Sequence, residues 1–229
     1  MAETFDTIYQ RACERKGGAD IVEAMVTKPL TAKQVSKVPD DRFLAEMTKK
    51  VFQSGFVWRV IEKKWPDFET VFFGFDIDKV LLMPDEMLEQ KASDKRIVRN
   101  YKKVMTVRDN AIMINDVARE HGSFGNFVAS FEGAEIVHLW QFLKKRGARL
   151  GGNTGSYMLR AIGVDTFLLS QDVEDYFRKQ DLIHGGLQTK RSLETIAAQF
   201  DTWQQQSGRP LEQISQILAY SWGTNRRVV

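Results

Sequence analysis

Apolar residues recur at three- and four-residue intervals along most of this chain, and that spacing leaves little room for anything but helices. Phe43, Leu44, Met47, Val51 and Phe52 share one helical face. Ile97, Tyr101, Val104, Met105, Ala111, Ile112 and Ile114 form a longer stripe that runs on to Gly122. Leu193, Ile196, Ala197, Phe200 and Trp203, then Leu211, Ile214, Ile217 and Leu218, give two more amphipathic segments near the end. No stretch alternates with period two for long enough to make a strand, although Val71–Phe75 is a short ambiguous run. The expected fold class is all-α, with about ten short helices.

Glycine, proline and capping residues set the boundaries. Asp40 or Asp41 can cap the Phe43 helix, and Gly55 is expected to break it. A segment from Phe56 to Trp65 is expected to stop at Pro66. Short helices follow at Ile77–Leu82 and Asp85–Gln90, and Ser93 precedes the longest one. A loop over 122–133 leads to a helix with Ile136, Val137, Trp140 and Leu143, closed by Gly147. The expected organisation is an N-terminal arm over 1–40 with one short helix near Ala19–Val26, a core over 41–170, and C-terminal helices over 171–229 packing on that core.

Composition narrows the function classes. One cysteine, Cys13, and three histidines in 229 residues cannot build a disulfide framework or a cysteine-rich zinc site. No metal and no cofactor is expected. No apolar run approaches the ~20 residues of a membrane span, and the N-terminus lacks the apolar core of a secretory signal. The expectation is a cytoplasmic, nucleoid-associated monomer that does not engage a membrane. Net charge is only +3, but its distribution is uneven. Lys91–Arg108 holds seven basic residues and one acid, and Gln141–Arg160 holds five and none. Acid-poor basic stretches of this kind point to a polyanion.

The second stretch carries the most informative motif. Lys144-Lys145-Arg146-Gly147 and Arg149 lead through Gly151-Gly152 into a helix beginning at Thr154. Helix, glycine turn and helix with basic flanks is the layout of a helix–hairpin–helix. Glycine lets the turn approach a phosphate, and amides at the start of the second helix can hold the anion. Gly152, Asn153, Thr154, Gly155 and Ser156, with Lys144, Lys145, Arg146 and Arg149, are therefore the candidate phosphate-binding residues.

Several segments in order resemble the DNA-3-methyladenine glycosylase I family of helix–hairpin–helix DNA glycosylases. They are Gln53-Ser-Gly-Phe-Val-Trp58, Phe68–Asp76, Ile97-Val-Arg-Asn-Tyr-Lys-Lys103 with Asn110-Ala111, and Lys144 through Tyr157 to Gly163. The resemblance spans roughly 43–167 and implies two helical subdomains. It also implies a monofunctional hydrolase that flips an alkylated purine of the 3-methyladenine type out of double-stranded DNA. The chain departs from the family at both ends, lacking the Cys-x-Trp and Tyr-His-Asp-x-Glu-Trp-Gly stretches and the zinc-closing His and Cys. It also carries Lys50 where the family has its base-recognising glutamate.

Site residues follow from that resemblance. Trp58 matches the family's pocket tryptophan, and Phe56 aligns with the apolar residue inserted into the duplex. Gln53, Tyr157, Phe52 and Lys50 are placed in the base pocket with Trp58. Val164-Asp165-Thr166 resembles the setting in which other helix–hairpin–helix glycosylases hold an aspartate, so Asp165 is the expected catalytic carboxylate and Glu46 the reserve. A glycosylase/lyase needs a lysine on the hairpin helix, where this chain has Ser156. The competing reading is a non-catalytic helix–hairpin–helix protein that binds damaged or structured DNA.

Overall fold

The computed structural model describes residues 3–223. In chain order the helices are α1 (Phe5–Lys16), α2 (Ala19–Met25), α3 (Ala32–Val35), α4 (Asp40–Gln53), α5 (Trp58–Val71), α6 (Ile77–Leu81) and α7 (Asp85–Ser93). They continue as α8 (Tyr101–His121), α9 (Phe124–Ala129), α10 (Ile136–Arg146), α11 (Thr154–Ile162), α12 (Gln171–Lys179), α13 (Lys190–Ser207) and α14 (Leu211–Trp222). There is no strand among the described residues, and Val71–Phe75 is the end of α5 followed by a short 3-10 turn. No helix there is long and apolar enough to cross a membrane.

Two compact units share the chain. The hairpin unit comprises Thr31–Phe131 and His138–Ile162. The terminal unit comprises the segment through Leu30, Glu132–Val137, and the residues from Gly163 onward.

In the hairpin unit, α4 packs against α5, α8 and α11. It does so because Phe43, Leu44, Met47, Val51 and Phe52 all turn inward and are fully buried or nearly so. Phe43 meets Phe124 edge-on at 5.1 Å, and the Asp40 carboxylate accepts the Phe124 amide at 2.9 Å, so α4 and α9 are tied at both side chain and backbone. The longest helix, α8, is capped by Asn100 rather than by Ser93 and ends at Gly122 in the left-handed region. Its buried Asn110 reads both sides of one peptide residue. Oδ1 accepts the Ala148 N–H at 2.7 Å, and Nδ2 donates to the Ala148 carbonyl at 3.2 Å. That pair fixes the backbone where α10 gives way to the hairpin. Asn110→Ala should therefore cost about 1–3 kcal/mol, because it leaves the part-buried N–H and carbonyl of Ala148 without that partner. Denaturant unfolding checks this, and a loss no larger than that of a surface substitution would show that the clamp is dispensable.

The terminal unit is built around α1, which packs along α14, with α12 and α13 beside it. Tyr176, Phe177, Phe200 and Trp203 form its aromatic centre, and Phe167 stacks on Phe200 at 4.2 Å. Trp203 Nε1 donates to the Glu3 carbonyl at 2.9 Å.

Three expectations change. Residues 1–40 are not an arm. Phe5, Ile8 and Ala12 of α1 are buried in the terminal unit, whereas α3 belongs to the hairpin unit. Pro66 does not end its helix but lies inside α5. Trp65 stacks on Phe68 and Phe75 at 5.4 and 5.5 Å while Phe68 and Val71 are buried, and this packing outweighs one missing backbone bond. The 122–133 loop contains α9, held by the Ser123 side-chain cap.

Candidate nucleic-acid interface and base pocket

The turn between α4 and α5 and the start of α11 enclose a cavity of about 600 Å³, lined by Lys50, Gln53, Ser54, Gly55, Phe56, Val57, Trp58, Asn153, Thr154 and Tyr157. Its size is that of a pocket for a small organic group. Gly55 at φ 69° turns the chain after α4, and the three residues that follow are left facing solvent. Phe56 is 44 % exposed, Val57 65 % and Trp58 52 %. Three consecutive exposed apolar side chains at a cavity mouth are unusual on a soluble surface. Trp58 is thus not a core residue. Tyr157 meets its ring edge-on at 6.3 Å and 84°.

One wall of the cavity is charged. Lys50 Nζ lies 3.0 Å from Glu46 Oε1, donates to Gln53 Oε1 at 3.3 Å, and sits 5.6 Å from the Trp58 ring centre. Gln53, 2 % exposed, donates in turn to Glu62 at 2.8 Å, and Glu62 pairs with Lys49 at 2.8 Å. The Lys49 hydrogen bond holds the Glu62 carboxyl below the usual carboxylate range. Signs alternate along this row, so the amide of Gln53 has its oxygen facing Lys50 and its nitrogen facing Glu62.

Lys103 secures the turn from behind. Its ammonium donates to the carbonyls of Phe52 at 3.1 Å and Ser54 at 2.8 Å, two of the acceptors left open at the end of α4. Burial pushes this lysine's pKa down, with Arg149 nearby adding to the effect. Sequence reasoning quoted Lys103 only as part of a matching segment and gave it no role, since nothing in a linear pattern shows which carbonyls a lysine will reach.

The hairpin is closed more tightly than its sequence indicates. The Gly155 amide donates to the Leu150 carbonyl at 3.2 Å and the Thr154 amide to that of Gly151 at 3.3 Å. Gly155 and Ser156 are buried. The amides of Thr154 and Gly155 are thus spent on the turn rather than open to a ligand. Gly152, exposed at φ 62° with open space around it, is the point where another backbone or a phosphate can come closest. Lys144, Lys145, Arg146 and Arg149 are exposed around it, and Arg146 pairs with Asp116 at 3.4 Å.

Phe52 is also corrected. It is fully buried and edge-on to Phe68 at 4.8 Å, so it is core rather than pocket lining. Asp165 lies in the terminal unit, where Oδ1 accepts the Glu212 amide at 2.8 Å and Oδ2 the Leu211 amide at 3.1 Å. It serves as the side-chain cap of α14, whose own N-cap, Pro210, has no acceptor to offer. No group of three or more potential metal ligands occurs among the described residues.

Several solved structures are similar. The 8-oxoguanine DNA glycosylase of Methanocaldococcus jannaschii aligns over 94 % of this chain and 93 % of its own, at 17 % identity and a TM-score of 0.55. The 3-methyladenine DNA glycosylase I of Staphylococcus aureus aligns over 66 % of this chain and 91 % of its own, at 21 % identity and a TM-score of 0.49. The fold is that of the helix–hairpin–helix DNA glycosylases. The methyladenine glycosylase family model matches residues 34–150, a little over half of the sequence and the region that holds both the α4–α5 turn and the basic end of α10. On that match, this chain belongs to the methyladenine glycosylase family.

Proposed function

We propose that this protein is a monofunctional DNA glycosylase that draws a damaged base out of double-stranded DNA and hydrolyses its bond to the sugar. The observation that supports it most is the cavity itself, with an exposed tryptophan and a half-buried tyrosine set at right angles beside a basic glycine hairpin, in a member of this family. An extruded base stacks well on such a ring, for about 1–3 kcal/mol. Phe56, half exposed on the same turn, is suited to fill the gap left in the duplex. Phosphates flanking the lesion would rest at Gly152 among Lys144, Lys145, Arg146 and Arg149. Asp165, by its Val-Asp-Thr setting, is the proposed carboxylate that steadies the positive sugar as the bond breaks. The family's description makes an alkylated purine of the 3-methyladenine type the first lesion to try.

A second reading is favoured by one observation. No carboxylate lines the cavity, and Glu46 is already paired with Lys50. A protein of this kind could bind damaged DNA without cleaving it. Single-turnover base release from duplexes carrying a panel of lesions separates the two. Release of any base supports the glycosylase, and binding without release from every lesion supports the second reading.

A further inference from the structure

The residue facing the cavity from the α4 side is a lysine, and its hydrogen-bonding capacity is not used up. An ammonium has three donors. Lys50 directs one to Glu46 and one to Gln53, and it sits over the face of Trp58. The remaining donor is available to a group lying against that ring. Glu46, Gln53, Glu62 and Lys49 fix the ammonium in place, and its side chain is only 14 % exposed.

We propose that Lys50 makes this cavity selective for neutral bases that present a carbonyl oxygen, the products of oxidation or deamination, and against positively charged alkylated bases. This rests on the reading that the cavity receives an extruded base, and it replaces the cationic 3-methyladenine type suggested by the family's description with a neutral lesion. A base stacked on Trp58 places its rim within reach of the free N–H, which needs an acceptor. A carbonyl oxygen supplies one, whereas a cationic ring brings like charges together in a partly dry site. Undamaged guanine, thymine and cytosine also carry carbonyls, and their pairing in the duplex keeps them out.

The same contact suits the chemistry of a neutral leaving group. When the bond between C1′ and the base nitrogen breaks, the electron pair goes to the base and the sugar is left as a cation. Water adds to C1′ and gives up a proton, and the base takes up a proton to leave as the free neutral base. An ammonium beside the carbonyl oxygen lowers the energy of the departing anion. A cationic base departs neutral and gains nothing from it.

The test compares affinities for duplexes with hypoxanthine, 8-oxoguanine or 1-methyladenine, the last a stable cation without a carbonyl, each on a 2′-fluoroarabinose that resists cleavage. The parent protein should bind the hypoxanthine or 8-oxoguanine duplex about tenfold tighter than undamaged DNA, the scale of one charge-assisted hydrogen bond. It should bind the 1-methyladenine duplex no tighter than undamaged DNA. Lys50→Met should erase the first preference and, by freeing the Glu46 carboxylate, raise affinity for 1-methyladenine. Lys50→Arg, which keeps charge and donors, should retain the parent's order. Preference for the cationic base by the parent, or an order unchanged in a folded Lys50→Met variant, would overturn the proposal. Lysine-dependent discrimination without base release from the same lesions on ordinary sugars would support it and overturn the enzymatic reading instead.

Discussion

Asp165→Asn should release base at least about 100-fold more slowly than the parent in a single-turnover assay, while its DNA affinity stays nearly the same. The substitution removes a charge without removing the side chain's shape. Asparagine keeps one acceptor for the two α14 amides that Asp165 now serves, so the stability loss is at most about 1 kcal/mol. Asp165→Ala is the contrasting variant. It gives up the whole cap and should lose about 0.5–2 kcal/mol as well as activity. Rate and melting temperature therefore move together in one variant and apart in the other. Full base release by a folded Asp165→Asn protein would return this residue to capping alone.

Replacing Gly155 or Gly152 of the hairpin should separate a structural requirement from an access requirement. A Cβ on Gly155 would stand 2.7 Å from the Leu150 carbonyl oxygen and 3.3 Å from a Leu143 methyl, so backbone must move. Gly155→Ala should cost about 1–3 kcal/mol of stability and reduce DNA affinity as the hairpin opens. Gly152 has nothing within 4 Å of its would-be Cβ. Asparagine tolerates the left-handed backbone found there, so Gly152→Asn should fold normally. It should nevertheless bind damaged and undamaged duplex about tenfold more weakly, since a side chain then stands between backbone and phosphate, and its affinity should still fall with salt. Unaltered affinity at low salt in folded Gly152→Asn protein would remove the hairpin from the DNA-binding surface.

Much of this architecture was legible because its signals are local. The α10 stripe, the Gly147 stop and the start of α11 at Thr154 are each set by residues within a turn or two of one another. Trp58 and Phe56, which line the cavity, were singled out through a segment that keeps its order and spacing. What failed depends on distant partners. Pro66 is a helix breaker by rule, yet the stack of Trp65 on Phe68 and Phe75 holds α5 through it. Phe52 shares a face with Phe43 and Met47 by spacing, and only the position of Phe68 shows that this face is core. Asp165 was read as a candidate carboxylate, since nothing near it in the sequence shows that it caps α14, more than 40 positions further along. The hairpin amides looked open because a sequence does not show that Leu150 and Gly151 turn their carbonyls toward them.

The discontinuous terminal unit bears on how the chain reaches this state during synthesis. The hairpin unit closes with contacts drawn from residues 31–162, so all its parts have emerged before α13 and α14 are made. By contrast α1 is made before the hairpin unit, and its partner α14 is made after it. The Trp203–Glu3 hydrogen bond joins residues 200 positions apart, and the apolar face of Phe5, Ile8 and Ala12 stays uncovered until α14 appears. Closing so long a loop is slow and leaves a sticky segment uncovered meanwhile. Nascent chains stalled before residue 211 should therefore hold a protease-resistant hairpin unit and an N-terminal helix open to cleavage or to a chaperone.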